Sequence, residues 1–310
     1  MKGVFFIVGP TATGKSDLAA DVARDLNAEI ISADAFQIYR GCDLLTEKPD
    51  AATLAKTAHH LIGTMSILEE MNAEKFRQLA FRAIGEIHAR GKLAIVVGGS
   101  GLYIKALTHG LSPSPAADAN LRARLTEMSM NELRARLLDL DPVAAGKIDT
   151  KNRRRLVRAL EICLLTGKPA SAQRRQWNEK VSSTTIPAET AAGVFVFRGR
   201  EEIYQRINCR AEAMFENGVI EEVRAIGAMS STAEKMIGLK EIRELLEGKM
   251  SILQCVTMTQ QATRRYAKRQ LTWFRRQTNF EPLNLSLLTH KEAVKWISRR
   301  ALRSCAQGND

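Results

Sequence analysis

Residues 9–16 read Gly9-Pro10-Thr11-Ala12-Thr13-Gly14-Lys15-Ser16 and fit G-x-x-x-x-G-K-[ST], the spacing of a phosphate-cradling P-loop. The backbone N–H groups of such a loop converge on anionic oxygens at a helix N-terminus. Lys15 adds a point charge to the phosphates, and the Ser16 hydroxyl can ligate Mg²⁺. The chemistry is the binding of phosphate or pyrophosphate, without saying whose phosphate it is. A second candidate is Asp34, which closes the run Glu29-Ile30-Ile31-Ser32-Ala33. It falls at the carboxyl end of a buried strand, where α/β sheets line their ligand crevice; otherwise it caps a turn ahead of Gln37. The third candidate is the pair Arg206 and Arg210, four apart on one helical face. Two arginines so placed can clamp an oxyanion or a pyrophosphate, the competing role being surface ion pairs with Glu202 or Glu216.

These groups need a rigid frame, and the apolar pattern supplies one. Val4-Phe5-Phe6-Ile7-Val8 is a continuous apolar run of the buried parallel-strand type, and Leu18, Ala19, Val22, Ala23 and Leu26 follow it at helical spacing. Strand, loop and helix thus come in the order a P-loop requires. A helix is predicted over residues 73–89, closed by Gly91. The run Leu93-Ala94-Ile95-Val96-Val97 gives a third strand, ending in the turn Gly98-Gly99-Ser100-Gly101, where backbone can approach a ligand closely. That strand has no terminal Asp of the Walker B kind, which weakens an ordinary ATPase reading. Ser112-Pro113-Ser114-Pro115 marks a boundary, beyond which the chain reads as helical until strand character returns at residues 192–197. A helix with Ile203, Ile207, Ala211, Met214 and Phe215 inside follows, and the rest is expected to be helical, with residues 304–310 frayed. The fold class is α/β: a P-loop NTPase-like parallel sheet flanked by helices (1–112 and 186–310) with an all-helical insertion domain (113–185).

Charge points to the partner. In 310 residues, Lys and Arg outnumber Asp and Glu by 46 to 34, a net charge of +12 with a pI near 9.7, which suggests a polyanion. Arg154, Arg155 and Arg158 share a helical face, and Arg174, Arg175 and Lys180 continue the charge; a solvated face and a phosphate-backbone surface are the two readings. Residues 260–276 interleave Arg264, Arg265, Lys268, Arg269, Arg275 and Arg276 with Tyr266, Trp273 and Phe274, as an RNA-facing helix or a packed one would. His59-His60, with no further ligands nearby, is read as structural and not as a metal site. The five scattered cysteines exclude a disulfide framework and a zinc module, and favour reduced thiols in the cytoplasm. Neither a membrane span nor a signal peptide is expected.

In combination these stretches resemble the tRNA dimethylallyltransferases, also called tRNA isopentenyltransferases. The resemblance rests on residues 9–16, Ile31-Ser32-Ala33-Asp34, Gln37-Ile38-Tyr39-Arg40-Gly41, Thr46 with Lys48-Pro49, and His59-His60-Leu61-Ile62. It continues through Val97-Gly98-Gly99-Ser100-Gly101-Leu102-Tyr103, Arg158-Ala159-Leu160-Glu161, Ile237-Gly238 with Lys240-Glu241, and residues 263–270 with Trp273-Phe274. Departures are Ala35 for serine, Ser100 for threonine, Leu44-Leu45 and Glu47 for Ile-Gly and a small residue, Leu239 for tyrosine and Arg154 for glutamine.

The resemblance implies transfer of a dimethylallyl group from its diphosphate to the N6 amine of an adenosine just 3′ of the tRNA anticodon. Asp34 then matches the general base, Arg210 the arginine on the diphosphate side with Arg206 as its neighbour, and the P-loop with Lys15 and Mg²⁺ on Ser16 the leaving-group site. The implied tRNA contacts are Asp34, Ala35, Phe36, Gln37, Ser100, Arg122, Arg154, Arg155, Arg158, Lys235 and Lys240, and a monomer is expected. The nearest alternative is an adenylate dimethylallyltransferase acting on free AMP or ATP, which has no need of the helical insertion and its arginines. A P-loop kinase of a small metabolite would leave residues 98–103 and the net charge unused. A catalytically silent RNA-binding protein would not need Lys15, Ser16, Asp34 and Arg210 together.

Overall fold

Short apolar strands that lack hairpin turns must pair in parallel through helical crossovers, which bury both faces of the sheet. The computed structural model, which describes residues 3–111, 115–149, 151–173, 185–186 and 191–306, shows this arrangement. Strands β1 (Val4–Val8), β2 (Glu29–Ser32), β3 (His59–His60), β4 (Ala94–Gly98), β5 (Ala192–Phe197) and β6 (Glu281–Asn284) form one sheet in the order β3-β2-β4-β1-β5-β6. Every pairing is parallel. Side chains alternate between two cores: Phe6, Val8, Ile31 and Val96 pack with Phe76, Tyr103 and Phe274, while Phe5, Ile7, Ile30 and Ile95 pack with Leu18, Val22 and Ile297.

The chain divides into two compact units, Met1–Thr108 with Ile186–Asp310, and His109–Thr185. In the first, α1 (Lys15–Asp25), α2 (Ala51–Ala55), α3 (Ala73–Ala89) and α4 (Gly101–Thr108) connect the early strands. After β5 come α9 (Arg200–Glu216), α10 (Val219–Ala225), α11 (Leu239–Leu246), α12 (Ile252–Gln277) and α13 (His290–Ala306). Helix starts carry the residues that satisfy their free N–H groups: Asn72 accepts from Lys75 N at α3, and Ser251 with Gln254 forms a capping box at α12. The second unit holds α5 (Ala119–Glu127), α6 (Met130–Leu140), α7 (Pro142–Lys147) and α8 (Arg153–Thr166), with no strand among the described residues. Its own core is built from Leu125, Leu133, Leu137, Leu156 and Leu160.

The expectation that the chain past residue 216 is wholly helical is corrected by β6, which pairs with β5 through Phe195↔Pro282. Pro282 has no N–H to give to a ladder, so it is tolerated only because β6 is an edge strand. Two-residue β3 is the opposite edge. The C-terminal expectation also changes: α13 extends through Ser304 to Ala306. Residues 112–114, Arg174, Arg175, Lys180 and residues 307–310 lie outside the described residues. Among the described residues no helix is long and apolar enough to cross a membrane.

Candidate active site

The P-loop turns back on itself between β1 and α1. Ala12 and Gly14 are left-handed, at φ +63° and +86°, which a glycine adopts without steric cost. Inside the loop, Thr13 Oγ1 and Lys15 Nζ both donate to the Pro10 carbonyl, at 3.0 and 3.1 Å. Three side chains from distant elements fix it from outside. Arg206 Nε donates to the Ala12 carbonyl at 2.7 Å, and Arg198 Nε to the Thr13 carbonyl at 2.8 Å. Gln270 on α12 accepts from Thr11 N at 2.9 Å and donates to the Gly99 carbonyl at 2.9 Å. The second glycine turn is needed for this closeness. A Cβ at Gly98 would stand 2.2 Å from the Ala33 carbonyl oxygen, and one at Gly99 2.2 Å from Gln270 Nε2.

Sequence reasoning assigned no role to Arg198 or Gln270. The spacing of Ala267, Gln270 and Phe274 along a buried stripe was the available signal for the glutamine. Arg198 carried only the signal of Glu202 four residues on; its contacts with the Thr13 and Leu285 carbonyls are made by the fold.

At the carboxyl ends of β2 and β4 a cleft opens with two lobes. The polar lobe is lined by Lys15, Ser16, Asp34, Gln37, Glu47 and Arg210, among others. The apolar lobe is lined by Phe36, Leu45, Ile207, Met214, Met236 and Tyr266, and the two share Thr11, Asp34, Thr46 and Glu47. Both readings of Asp34 hold at once. It lines the cleft, and its Oδ1 accepts from Phe36 N at 2.9 Å and Gln37 N at 3.3 Å. Arg210 pairs with neither Glu202 nor Glu216. Its Nε lies 2.9 Å from the Glu47 carboxylate, and a second guanidinium nitrogen donates to the Glu47 carbonyl at 2.9 Å.

Electrostatics in the polar lobe follow from its enclosure. Burial, helped by the Arg210 charge, brings the Lys15 amine down to about 8, with Asp34 and Glu47 opposing the drop. Burial likewise pushes the Glu47 carboxyl above its ordinary value, against the pull of Arg210 and Lys15. The Tyr266 phenol is raised by burial and then by the Asp34 charge.

Arg206, expected beside Arg210 on an anion, spends its Nε on the P-loop backbone. Gln37 turns inward, accepting from Ser32 Oγ at 3.3 Å and donating to the Glu47 carbonyl at 3.0 Å. Ser100 Oγ accepts from Ala35 N at 3.1 Å, tying the glycine turn to the Asp34 segment. His60 Nε2 meets Glu29 at 2.8 Å and His59 Nδ1 meets the Thr57 carbonyl at 2.8 Å. In the helical unit, Arg122 and Arg158 both reach Glu161, a fully buried carboxylate; Arg122 does so at 2.9 Å. Arg154, Arg155, Lys235 and Lys240 are exposed, the last with Glu244 at 3.7 Å. On α12 the aromatics turn inward: Phe274 is buried and stacks on Phe195 at 5.6 Å, and Tyr266 lines the apolar lobe. Arg265, Lys268, Arg269, Arg275 and Arg276 stay outside.

A P-loop at the carboxyl edge of an all-parallel sheet, with a carboxylate and an arginine lining the same cleft, defines a P-loop α/β protein. The chain belongs to the IPP transferase family, whose model matches residues 37–277. Curated relatives include a tRNA dimethylallyltransferase of Akkermansia muciniphila, 43% identical over 88% of this chain and 90% of its own. Another, from Chlorobium phaeobacteroides, is 42% identical over 95% of each chain. The crystal structure of the full-length tRNA isopentenylpyrophosphate transferase of Bacillus halodurans superposes with a TM-score of 0.71 at 32% identity, covering 99% of this chain and 98% of that one. A eukaryotic dimethylallyltransferase captured acting on tRNA gives 0.75 at 26% identity, over 92% and 74%.

Proposed function

We propose that this protein transfers the dimethylallyl group of dimethylallyl diphosphate to the N6 amine of the adenosine just 3′ of a tRNA anticodon, releasing diphosphate. One observation carries the reading: a polar lobe with Lys15, Ser16 and Arg210 and an apolar lobe with Phe36, Leu45 and Met214 meet at Asp34. A prenyl diphosphate has the same two halves, and the reacting carbon joins them.

The chain's residues then divide the work. P-loop N–H groups, Lys15 and Arg210 stabilise the charge that develops on the departing diphosphate. Asp34 accepts the proton of the exocyclic amine as the nitrogen bonds to the allylic carbon and the carbon–oxygen bond breaks. The cleft's apolar wall excludes water that would compete with the amine. Ser16 suits Mg²⁺, since its hydroxyl is a hard oxygen donor lining the polar lobe at the start of α1; when bound, the ion supplies positive charge to the diphosphate. The target adenosine has to leave its stack to reach Asp34, at a cost of a few kcal/mol. Exposed cations on α12 and at the start of α8 offer phosphate contacts on each unit. We place the enzyme in the cytoplasm, as a monomer; Cys42, Cys163, Cys209 and Cys255 are free thiols.

Incubation with dimethylallyl diphosphate, Mg²⁺ and either tRNA or AMP, followed by mass spectrometry of the nucleosides, tests this. A dimethylallylated adenosine from tRNA is the expected product. Alkylation of AMP alone would move the assignment to the free-nucleotide reaction.

A further inference from the structure

Glu47 is the one acidic side chain besides Asp34 that faces the P-loop lysine among the described residues. Its backbone is left-handed at φ +53°, an unusual state for a glutamate and of the kind that concentrates at functional sites. The lobe's charged groups are Lys15 from α1, Asp34 after β2, Arg210 from α9 and Glu47 itself. Two cations face two carboxylates. A diphosphate entering this lobe meets an anion already paired with the arginine that should receive it.

The carboxylate is not what holds its loop. Glu47 N donates to the Leu44 carbonyl at 3.0 Å, and the Glu47 carbonyl accepts from Gln37 and Arg210. Glu222 accepts from Leu44 N and Leu45 N at 2.9 and 2.8 Å, and Lys48 Nζ donates to the Tyr39 carbonyl at 2.5 Å. The side chain can therefore leave Arg210 while the main chain stays in place. The side chain already lines both lobes of the cleft, where an entering anion would meet it.

We infer that Glu47 is an internal anion that competes with diphosphate for Arg210, and so sets how tightly the donor and the released diphosphate are held. The inference rests on the reading of the polar lobe as the diphosphate subsite. Ground-state binding of an anion then has to displace one ion pair, which weakens affinity, and return of the carboxylate to Arg210 speeds departure of the product. In the resting enzyme Glu47 also keeps Arg210 in position.

Isothermal titration of inorganic diphosphate, with and without Mg²⁺, into wild type, Glu47→Gln and Glu47→Ala tests the inference, alongside steady-state turnover with tRNA. Both variants should bind diphosphate at least about tenfold tighter, the scale of removing a like charge from an anion site. Diphosphate should become a stronger product inhibitor of the steady-state reaction in both variants. Unchanged affinity in both variants overturns the inference while leaving the transferase reading intact. Weaker binding in the variants also overturns it; where the weakening appears only with Mg²⁺, Glu47 is a metal-holding carboxylate instead. Wild type that neither binds diphosphate nor alkylates tRNA removes the transferase reading and the inference with it.

Discussion

Gln270 Oε1 accepts the Thr11 backbone N–H at 2.9 Å, so the phosphate loop near the start of the chain is held by a side chain 259 residues further on. The other end of the same amide donates to the Gly99 carbonyl. One buried glutamine thus keeps two glycine turns at a fixed spacing. Replacing it by leucine leaves a donor and an acceptor without partners, at a cost of about 2–4 kcal/mol. Urea denaturation of Gln270→Leu should show that loss, with diphosphate affinity down about tenfold as the loop loosens. Gln270→Glu keeps the acceptor for Thr11 N but loses the donor to Gly99 and buries a negative charge there, so both stability and diphosphate affinity should fall. Wild-type affinity in both variants would show that the clamp has no bearing on the loop.

The proposed role of Asp34 as the base and its observed turn hydrogen bonds are separated by different substitutions. Asparagine keeps an oxygen for the Phe36 and Gln37 N–H groups but cannot accept the amine proton. Asp34→Asn should therefore lower kcat by about 10²-fold or more, with tRNA affinity and melting temperature close to wild type. Asp34→Ala loses the turn as well and should also lose about 1 kcal/mol of stability. Single-turnover assays at saturating donor measure the first effect. An Asn variant with wild-type turnover would take Asp34 out of the proton transfer.

With Lys15 on the diphosphate as proposed, binding and stability should move in opposite directions with pH. Its folded-state value of about 8 lies below the ordinary 10.5, so between those limits the unfolded chain binds more protons than the folded one. Stability from this group then rises with pH across that window, and its cost is fully present below pH 8. Diphosphate affinity should fall over the same range, because the free enzyme loses the ammonium that meets the anion. Titration calorimetry from pH 7 to 9.5 should show the loss in wild type and a flatter profile in Lys15→Met. The methionine variant should bind weakly throughout yet unfold at higher urea near pH 7, by on the order of 1–2 kcal/mol.

The parts of this arrangement that could be read from the chain are those encoded locally. β1, the P-loop and α1 announce themselves because an apolar run, a glycine spacing and a helical stripe are consecutive. Asp34 follows from the rule that strand ends line the crevice. What escaped has non-local causes. His59–His60 is a strand only because β2 offers it an edge, and β6 contains a proline that argues against strand. The partner of Arg210 was sought in Glu202 and Glu216 on its own helix, whereas Glu47 comes from a loop 163 residues earlier in sequence. Helical spacing set Arg158 on a charged face with Arg154 and Arg155, and the family resemblance implied Arg122 as a tRNA contact, yet each commits part of its guanidinium to the buried Glu161. Burial of an acid inside a helical unit is invisible in composition.

That commitment shapes the prediction for tRNA binding. Cations already spent on Glu161 contribute less to a phosphate surface than those facing water. On α12, Arg265, Lys268, Arg269 and Arg276 are exposed and recur at three, four and seven residues, which sets them along one side of the helix. Affinity for tRNA should fall steeply between 50 and 200 mM salt, by about 10²-fold or more, as phosphate neutralisation releases counterions. Lys268→Ala and Arg269→Ala should each reduce the slope of log affinity against log salt by about 0.7–1 and weaken all substrate tRNAs alike. Neither should change diphosphate affinity, because neither side chain lines the cleft. Filter binding of a single tRNA across the salt series reads both quantities. A salt response as flat as that of a free nucleotide would mean that these cations do not meet a phosphate backbone, and would favour AMP as the acceptor.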